Sequence, residues 1–473
     1  MAHIRLFKHY VPTVLILLAA IEAALLFVSL LAGYAIRFAF FDGIALDASF
    51  LDRPLLIGAL VYTVVMLLCT TAMGVYSAGL RGGNAPMAVR TVVAYCLLGT
   101  AVLTLLYYLI PALYMGRGVL FYSVVAALVL VVPVRWAFLR LVDAESLRDR
   151  VLVLGVGEQA NKLATYLASG HAGVARIVAF IQTTSDEKVA VKGEIAQRDV
   201  SLAELVNLYE ANEIVVALDD RRSGQGSAFP LDELFDCKMQ GIRITDAITV
   251  CERELGVVPL SAISPGWLVF STGFAGGQLV ESAKRASDVF IALVLLLLTW
   301  PLMLIAAIAI VLESGRPVFY QQTRVGLGGK TFSIFKFRSM VVNAEKEGEA
   351  VWATAKDSRV TPVGAVLRNT RIDELPQLWN VLRGDMSFVG PRPERPEFVQ
   401  GFAETLPFYN ERHRVKPGLM GWAQLNYPYG ASDEDAEQKL RYDLYYVKNK
   451  SLMLDLVIMV QTVQVILLGM GVH

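Results

Sequence analysis

The chain has 473 residues, of which 55% are hydrophobic and 18% charged, and its mean hydropathy is +0.51. Soluble domains carry about 25% charged residues, so this composition indicates a membrane protein. Lys and Arg together number 43, as do Asp and Glu, and the net charge of zero argues against a nucleic-acid-binding protein. The four cysteines form no Cys-x-x-Cys pair, so we expect buried free thiols rather than disulfides or a zinc site.

Four apolar runs fill the N-terminal part of the chain, at residues 11–36, 55–75, 89–110 and 119–141. Each is near the length of about 20 residues that a helix needs to cross a bilayer. Basic residues such as Arg5, Arg90 and Arg135 mark one side of these spans, which predicts that both ends of the bundle face the cytoplasm. We expect Glu22, inside the first span, to make a structural polar contact. Residues 1–145 are therefore predicted to form four transmembrane helices.

Short apolar runs alternate with helical patterns between residues 146 and 260. The predicted strands are Val151–Leu154, Val174–Ile181, Glu213–Leu218 and Gly241–Thr245, and the predicted helices are Glu158–Ser169, Leu202–Ala211, Leu231–Met239 and Asp246–Leu255. This alternation is typical of a doubly wound, Rossmann-like α/β domain. The Gly/Ser-rich stretch that follows is predicted to be a linker, at residues 261–281.

A glycine motif opens this middle domain. Gly155–Ala160 matches the G-x-G-x-x-A pattern that cradles a phosphate at the start of a helix. The pattern is incomplete, because the second predicted strand leads into Gln182 without the carboxylate that would bind a ribose. A structural domain is the favoured interpretation, and bound NAD or an unidentified regulatory ligand remain alternatives.

A fifth apolar run, Val289–Leu312, contains Pro301 near its middle. Basic residues flank it on both sides, which favours both ends facing the cytoplasm. Proline removes one backbone donor and bends a helix. We therefore predict a reentrant helix at about residues 286–312 that enters the membrane, breaks at Pro301 and returns, with an ordinary kinked span as the alternative.

The adjacent carboxylates Asp373 and Glu374 lie among many cations, which indicates a phosphate site. Arginine forks match phosphate geometry, and two carboxylates with phosphate oxygens suit Mg²⁺. A carboxylate that arginines keep ionised can attack phosphorus. The basic residues predicted to bind phosphate or substrate are Lys336, Arg338, Arg368, Arg371 and Arg392. The alternative is a helix whose first turn carries an acidic pair as dipole partners.

Residues 282–473 resemble the bacterial sugar transferase family, the polyprenyl-phosphate hexose-1-phosphate transferases. The motifs that carry the resemblance are Lys284-Arg285-x-x-Asp288, Lys336–Met340, Asp373–Leu378, Gly384–Ser387, Val389–Pro393, Lys416–Gly418 and Gly421–Gln424. The four-span bundle and the middle domain resemble the large form of this family. The stretch Asn426–Ser432 is similar to the subgroup associated with exosortase-linked exopolysaccharide loci.

The resemblance implies a monotopic α/β phosphoglycosyl transferase domain on a reentrant helix, and a two-step reaction. Asp373 would attack the phosphate joined to the sugar of a UDP-sugar, giving a phosphosugar-aspartyl enzyme and UMP. A polyprenyl phosphate, expected to be undecaprenyl phosphate, would then accept the hexose 1-phosphate. Mg²⁺ would be held by Glu374 and Asp373. The product would initiate exopolysaccharide or O-antigen-type glycan synthesis, with glucose or galactose as the preferred sugar.

The same resemblance assigns further residues and a cellular setting. Asp385, Gln424 and Asp443 join the predicted substrate-binding set, whereas Lys284, Arg285, Asp288 and Pro301 are predicted to place the membrane helix. The protein is expected to be a multi-pass protein of the bacterial inner membrane, with its catalytic domain in the cytoplasm, and to form a homodimer.

The C-terminal apolar run, at about residues 452–468, contains Asp455, Gln461 and Gln464. It is short and polar for a span, so we predict an interfacial amphipathic helix.

Two other functions remain alternatives. A membrane-attached, NAD-dependent nucleotide-sugar dehydratase or epimerase would use a Tyr-x-x-x-Lys pair, and Tyr446 and Lys450 match that spacing without a preceding glycine fingerprint. A non-enzymatic scaffold or a transporter of lipid-linked sugars would use the helical bundle as its working part.

Overall fold

The computed structural model describes residues 3–6, 9–41, 53–73, 90–141, 149–169, 175–183, 188–219, 229–263, 265–271, 273–274, 277–342, 344, 359–428, 430 and 432–468. The chain divides into two compact units, Met1–Gly256 and Val257–His473, and each is described by itself. Tyr429 and Ala431, of the stretch Asn426–Ser432, lie outside the described residues.

The first unit begins with a hairpin and continues with apolar helices. Strands β1 (His3–Leu6) and β2 (His9–Pro12) pair antiparallel. The helices are α1 (Thr13–Ala35), α2 (Arg53–Ala72), α3 (Arg90–Leu109) and α4 (Arg117–Leu141), with π-helical turns at Ile36–Phe41 and Ala94–Gly99 and a 3₁₀ turn at Pro111–Leu113. Each of the four is long and apolar enough to cross a membrane, as the sequence predicts.

The bundle buries apolar side chains and also exposes them. Leu26, Tyr62 and Tyr95 lie in its core, while Leu97 and Val129 point outward with 65% and 66% of their surface exposed. An apolar exterior of this kind suits lipid, which offers no hydrogen bonds to polar groups. Cys96 also faces outward, so the expectation of four buried thiols holds for Cys69, Cys237 and Cys251 but is wrong for Cys96.

Glu22 and Arg135 form an ion pair inside the bundle. Arg135 Nε donates to Glu22 Oε1 at 2.5 Å and Nη2 donates to Oε2 at 2.6 Å, while Nη1 contacts the Thr91 hydroxyl. Glu22 is 0% and Arg135 2% exposed, so the predicted structural contact of Glu22 is confirmed. Arg135 lies near the C-terminal end of α4 and contacts Thr91 at the start of α3, and the cytoplasmic side of this end stays a prediction.

A five-stranded parallel sheet forms the rest of the first unit. Its strands are β3 (Asp149–Leu154), β4 (Ala175–Ile181), β5 (Ile195–Ala196), β6 (Glu213–Val216) and β7 (Arg243–Asp246), and its helices are α5 (Glu158–Ser169), α6 (Leu202–Leu208), α7 (Leu231–Met239) and α8 (Ala247–Leu255). The strand order is β5-β4-β3-β6-β7. From β3 the chain adds two strands on one side and then two on the other. Buried Leu152 and Ile214 belong to the core under this sheet.

The second unit mixes helices with short strands. Its helices are α9 (Pro265–Phe270), α10 (Gln278–Ser314), α11 (Pro362–Asn369), α12 (Gln377–Arg383), α13 (Pro396–Thr405), α14 (Trp422–Asn426), α15 (Asp433–Asn449) and α16 (Leu452–Leu468), with 3₁₀ turns at Leu260–Ala262, Leu327–Gly329, Ile372–Glu374 and Tyr409–Arg414. Strands β8 (Phe319–Val325) and β9 (Thr331–Phe337) form an antiparallel hairpin, and β10 (Ser387–Val389) and β11 (Gly418–Met420) pair in parallel.

The predicted linker contributes to this second unit. Helix α9 lies within the predicted linker, residues 261–281. Its Trp267 packs with Phe274 against the core that contains Leu378 and Tyr445. Aromatic burial of this kind ties the stretch to the domain that follows it, which glycine and serine content alone did not reveal.

Helix α10 runs for 37 residues with Pro301 inside it. The helix is continuous through Pro301. The predicted break in the helix at this residue is therefore wrong. Proline in a helix removes one hydrogen bond and can leave the remaining ladder in place. At about 1.5 Å per residue the helix is much longer than the hydrocarbon layer of about 30 Å is thick.

Candidate active site

The chain turns sharply just before the acidic pair. Arg371 adopts φ +59°, in the left-handed region that non-glycine residues seldom occupy. The 3₁₀ turn of Ile372–Glu374 follows and leads into α12. This turn buries Asp373, which is 7% exposed, next to Glu374.

Three cations surround the Glu374 carboxylate. Lys336 Nζ, from strand β9, lies 2.9 Å from Glu374 Oε1, and Arg392 Nη2 and Arg371 Nη1 lie 3.5 Å and 3.8 Å from the same oxygen. Burial by itself would raise the pKa of Glu374, but these cations outweigh it and hold the pKa well below the usual range. Glu374 is therefore a fixed anion.

Asp373 has a different environment. Burial raises the pKa of the Asp373 carboxyl, and the neighbouring Glu374 raises it further, while Lys336, Arg371 and Arg368 act in the opposite direction. Asp373 Oδ1 is buried and makes no hydrogen bond to any described residue. The cations were expected to keep both carboxylates ionised. Their contacts are with Glu374, whereas Asp373 keeps one oxygen available.

Arg392 follows strand β10, which pairs in parallel with β11. The two backbones approach so closely that a Cβ on Gly390 would lie 2.3 Å from the Lys416 carbonyl oxygen and one on Gly418 would lie 2.1 Å from Gly390 N. Arg412 Nη2 donates to the Arg392 carbonyl oxygen at 3.0 Å. Only glycine allows this approach, and the resulting turn directs Arg392 toward Glu374.

Two predicted substrate ligands have structural partners. Arg338 Nη2 donates to the carbonyl oxygens of Ser314 and Gly315, at 3.0 Å and 2.8 Å, and so caps the C-terminus of α10. Asp443 is 2% exposed and accepts from Arg412 Nη2 at 2.7 Å. Both residues thus have structural contacts, while Arg338 Nε and Nη1 and Asp443 Oδ1 are buried and make no hydrogen bond to a described residue. Their roles in binding substrate stay predictions.

Three further residues were predicted to bind substrate: Arg368, Asp385 and Gln424. Arg368 is in the last turn of α11, and its charge acts on Asp373. Asp385 lies beyond α12, with Arg383 Nε 3.5 Å away. Gln424 lies on α14 at an exposed position, and a Cβ on Gly421 would lie 3.0 Å from its Oε1. Asp385 and Gln424 thus stay predictions as substrate ligands.

Three of the residues predicted to place the membrane helix attach α10 to the rest of the second unit. Lys284 Nζ lies 2.5 Å from Asp455 Oδ2 and donates to the Val389 carbonyl oxygen at 3.2 Å. Arg285 donates to the carbonyl oxygens that end α12, and Asp288 accepts from Ser387 Oγ and Phe388 N at 3.1 Å each. Helix α10 thus holds strand β10, which leads directly to Arg392.

Tyr446 and Asp455 complete this contact, a role that their positions in the sequence did not predict. The Tyr446 hydroxyl lies 2.8 Å from Asp455 Oδ1, 3.0 Å from the Val389 carbonyl oxygen and 3.1 Å from Lys284 Nζ. Lys450 pairs with Glu281 instead of Tyr446. The dehydratase alternative therefore loses its Tyr-x-x-x-Lys pair. Asp455 is buried, so it does not belong to a solvent-facing side of α16.

The glycine cradle of the first unit contains one of the chain's own carboxylates. Asp219 accepts from Glu158 N at 3.0 Å and from Gln159 N at 2.8 Å, at the start of α5. A Cβ on Gly157 would lie 2.1 Å from Asp219 Oδ2. Helix N-termini favour anions, and here the carboxylate occupies the place that a cofactor phosphate would take.

The acidic pair fits Mg²⁺ only in part. Among the described residues, no group of three or more His, Cys, Asp or Glu side chains could enclose a metal ion. Asp373 Oδ1 is a free oxygen donor, whereas Glu374 already contacts Lys336. Mg²⁺ is commonly bound through one or two carboxylates with substrate phosphates and water, so these residues fit it in the presence of a phosphate substrate.

The second unit thus combines a helix long and apolar enough to cross a membrane with a buried acidic pair among cations. Residues 279–469 match the sequence model of the bacterial sugar transferase family. The chain is 50% identical over 188 residues to the UDP-N-acetylgalactosamine-undecaprenyl-phosphate N-acetylgalactosaminephosphotransferase of Aeromonas hydrophila, which covers 40% of this chain and 44% of the relative.

Two further relatives are named UDP-glucose:undecaprenyl-phosphate glucose-1-phosphate transferase. The one from Xanthomonas campestris is 39% identical, over 44% of this chain and 43% of the relative. The one from Caulobacter vibrioides is 44% identical, over 39% of this chain and 69% of the relative. The chain belongs to the bacterial sugar transferase family. Its matched part spans less than half of the length of the Aeromonas and Xanthomonas relatives.

Proposed function

We propose that the protein is a phosphoglycosyl transferase that moves a hexose 1-phosphate from a UDP-sugar to undecaprenyl phosphate. The observation that carries this proposal is the unequal acidic pair, in which Asp373 keeps a free buried oxygen while three cations hold Glu374. A buried carboxylate beside fixed cations suits attack on an anionic phosphate. The names of the relatives support the same reaction class.

In the first step, a carboxylate oxygen of Asp373 bonds to the phosphorus that carries the sugar. The bond from this phosphorus to the bridging oxygen breaks, and that oxygen leaves with the electron pair as part of UMP. Arg368, Arg371 and Arg392 neutralise the phosphate charge. Burial of Asp373 keeps water away from the acyl phosphate that forms.

In the second step, a phosphate oxygen of undecaprenyl phosphate attacks the same phosphorus. The bond to Asp373 breaks, the carboxylate is restored and undecaprenyl-diphospho-sugar leaves. Both steps use the same nucleophile position, so the donor and the acceptor react in turn. Mg²⁺, held by Asp373 and Glu374 with substrate oxygens, would supply further neutralisation of the diphosphate charge.

The lipid acceptor requires a site near the membrane, and α10 supports a reentrant arrangement. Ala292, before Pro301, packs into the core that contains Leu378, and Ile310, after Pro301, packs with Phe337. Between them Leu297 is 73% exposed. A helix that crossed the bilayer would separate its two halves by the membrane, whereas a reentrant one lets both contact one cytoplasmic domain.

We propose a Rossmann-like first unit, on the basis of its parallel strand order, and a location in the bacterial inner membrane with the catalytic domain in the cytoplasm. The relatives' names include both N-acetylgalactosamine and glucose transfer, so the donor test must extend beyond the glucose and galactose expected from the sequence. Initiation of an exopolysaccharide, a homodimer and an interfacial α16 stay predictions.

A nucleotide-release assay tests the function. The purified full chain is incubated with undecaprenyl phosphate, Mg²⁺ and, in turn, UDP-glucose, UDP-galactose, UDP-N-acetylglucosamine and UDP-N-acetylgalactosamine. We expect UMP and lipid-linked product with at least one donor, and neither product after chelation with EDTA. Release of UDP would indicate ordinary glycosyl transfer, and no release with any donor would contradict the proposal.

A further inference from the structure

Arg285 and Lys416 come together at the C-terminal end of α12, away from the acidic pair. A Cβ on Gly384 would lie 3.5 Å from Arg285 Nη2 and 3.6 Å from Lys416 Nζ, so the two nitrogens lie within about 7 Å of each other. Apart from atoms of Gly384 and its two chain neighbours, no atom lies nearer to that point, and Gly384 therefore leaves a gap between two cations. Two amine or guanidinium groups at this separation can both donate to oxygens of one phosphate.

Neither cation has a carboxylate partner among the described residues. Arg285 donates to the carbonyl oxygens of Val381 and Leu382, and the half-buried Lys416 ammonium makes no hydrogen bond to a described residue. Three carboxylates lie near enough to act on Lys416, and each has another partner: Glu281 pairs with Lys450, Asp288 accepts from β10, and Asp385 lies 3.5 Å from Arg383 Nε. Burial and the charge of Arg285 lower the pKa of Lys416, which an anion bound between them would reverse.

An apolar face of α10 adjoins Arg285. It includes Val289, Phe290 and Leu293, with Glu281 at its polar end. Phe290 is 69% and Leu293 54% exposed, and both belong to a helix apolar enough to enter a membrane. The cations thus lie at the polar end of an apolar surface, the arrangement that suits a headgroup above its acyl chains.

We propose that Arg285 and Lys416 bind the phosphate of an acidic membrane phospholipid, whose chains lie along this apolar face of α10. This lipid differs from the reacting acceptor, because the seven residues of α12 separate the site from Asp373 by about 10 Å. A phosphate held there cannot reach the nucleophile. The lipid would fix the end of α12, whose other end follows the acidic pair, and the proposal does not depend on the transferase activity.

Lipid retention tests this site directly. The full chain is purified in detergent from vesicles of phosphatidylcholine with phosphatidylglycerol, and bound lipid is counted by native mass spectrometry without any UDP-sugar. We expect Lys416→Gln to lower phosphatidylglycerol retention about five-fold, the factor expected for one lysine facing an acidic headgroup. Lys416→Arg should restore it, and the exposed Lys330→Gln, with the same charge change, should match the wild type.

Four outcomes would overturn the proposal. Equal retention of phosphatidylglycerol by wild type and Lys416→Gln would exclude the lysine as a ligand. Displacement of the lipid by inorganic phosphate alone would indicate a small-anion site, and displacement by UMP would assign the site to the donor. If Lys416→Gln fails to fold, the wild type still decides: equal retention of phosphatidylcholine and phosphatidylglycerol would contradict the site.

Discussion

Lys336 Nζ lies 2.9 Å from Glu374 Oε1, and this contact ties strand β9 to the turn that carries Asp373. It gives two adjacent carboxylates different properties. Glu374 is held as an anion by three cations, whereas Asp373 is buried and keeps Oδ1 without a partner among the described residues. In the proposed reaction the first is a fixed charge and the second is the nucleophile.

Replacement of Asp373 by Asn should abolish the reaction and leave the fold intact. An amide of the same shape has no charge to attack phosphorus, so UMP release should fall by at least about 10³-fold. Thermal unfolding should change little, because the substitution removes a buried charge. Asp433→Asn, at an exposed position, is the matched control. Near-normal turnover by Asp373→Asn would refute the nucleophile assignment.

Replacement of Lys336 by Met should change the pH dependence. Lys336 lowers the pKa of Asp373, so its loss raises that pKa, and the acidic limb of the kcat/KM profile moves to higher pH. We also expect kcat/KM to fall by about 10²-fold, the effect of losing one charged donor in an active site. Lys330→Met, on the same hairpin, controls for the change in net charge. An unshifted acidic limb would contradict this coupling.

Tyr446→Phe should weaken the attachment of α10 and α16 to strand β10. The buried Asp455 and Val389 oxygens lose a hydroxyl partner, which should lower the free energy of unfolding by about 1–3 kcal/mol. Since β10 leads to Arg392, we also expect a higher KM for the UDP-sugar. The control is Tyr442→Phe, because the Tyr442 hydroxyl makes no hydrogen bond to a described residue. Equal effects of the two variants would exclude a specific role for Tyr446.

Glu22→Gln tests the ion pair of the membrane bundle. The change leaves the Arg135 charge without its buried partner, which typically costs about 3–5 kcal/mol. Thermal unfolding in detergent should therefore shift to lower temperature, while the KM for the UDP-sugar stays the same. The double variant Glu22→Leu with Arg135→Leu should recover most of the stability. A change in KM without a loss of stability would point to a functional role for Glu22.

The sequence predicted the elements well because their patterns are local. Helices α5 and α7 begin and end at the predicted residues, and α16 spans the predicted 452–468. The Asp373–Glu374 pair and its arginines were also predictable, since few structural roles bring so many charges together in one stretch. The continuity of α10 through Pro301 was not, because a proline kink and a helix break share one sequence signal.

The partners of single side chains could not be predicted, because they depend on contacts between distant parts of the chain. Arg338 was expected at the phosphate site, yet it caps a helix that ends at Ser314. Tyr446 matched a catalytic spacing with Lys450, yet its contacts are Lys284 and Asp455. Asp219 fills the glycine cradle from 60 residues downstream. Spacing along the chain carries no information on which of these contacts forms.

The most direct test of the account is the mass of the intact protein after incubation with the donor alone. With Mg²⁺ and the active UDP-sugar but no lipid, the wild type should gain the mass of one hexose phosphate and release one equivalent of UMP, and Asp373→Asn should do neither. Addition of undecaprenyl phosphate should then restore the original mass. UMP release that requires the lipid, with no adduct on the protein, would contradict the covalent mechanism.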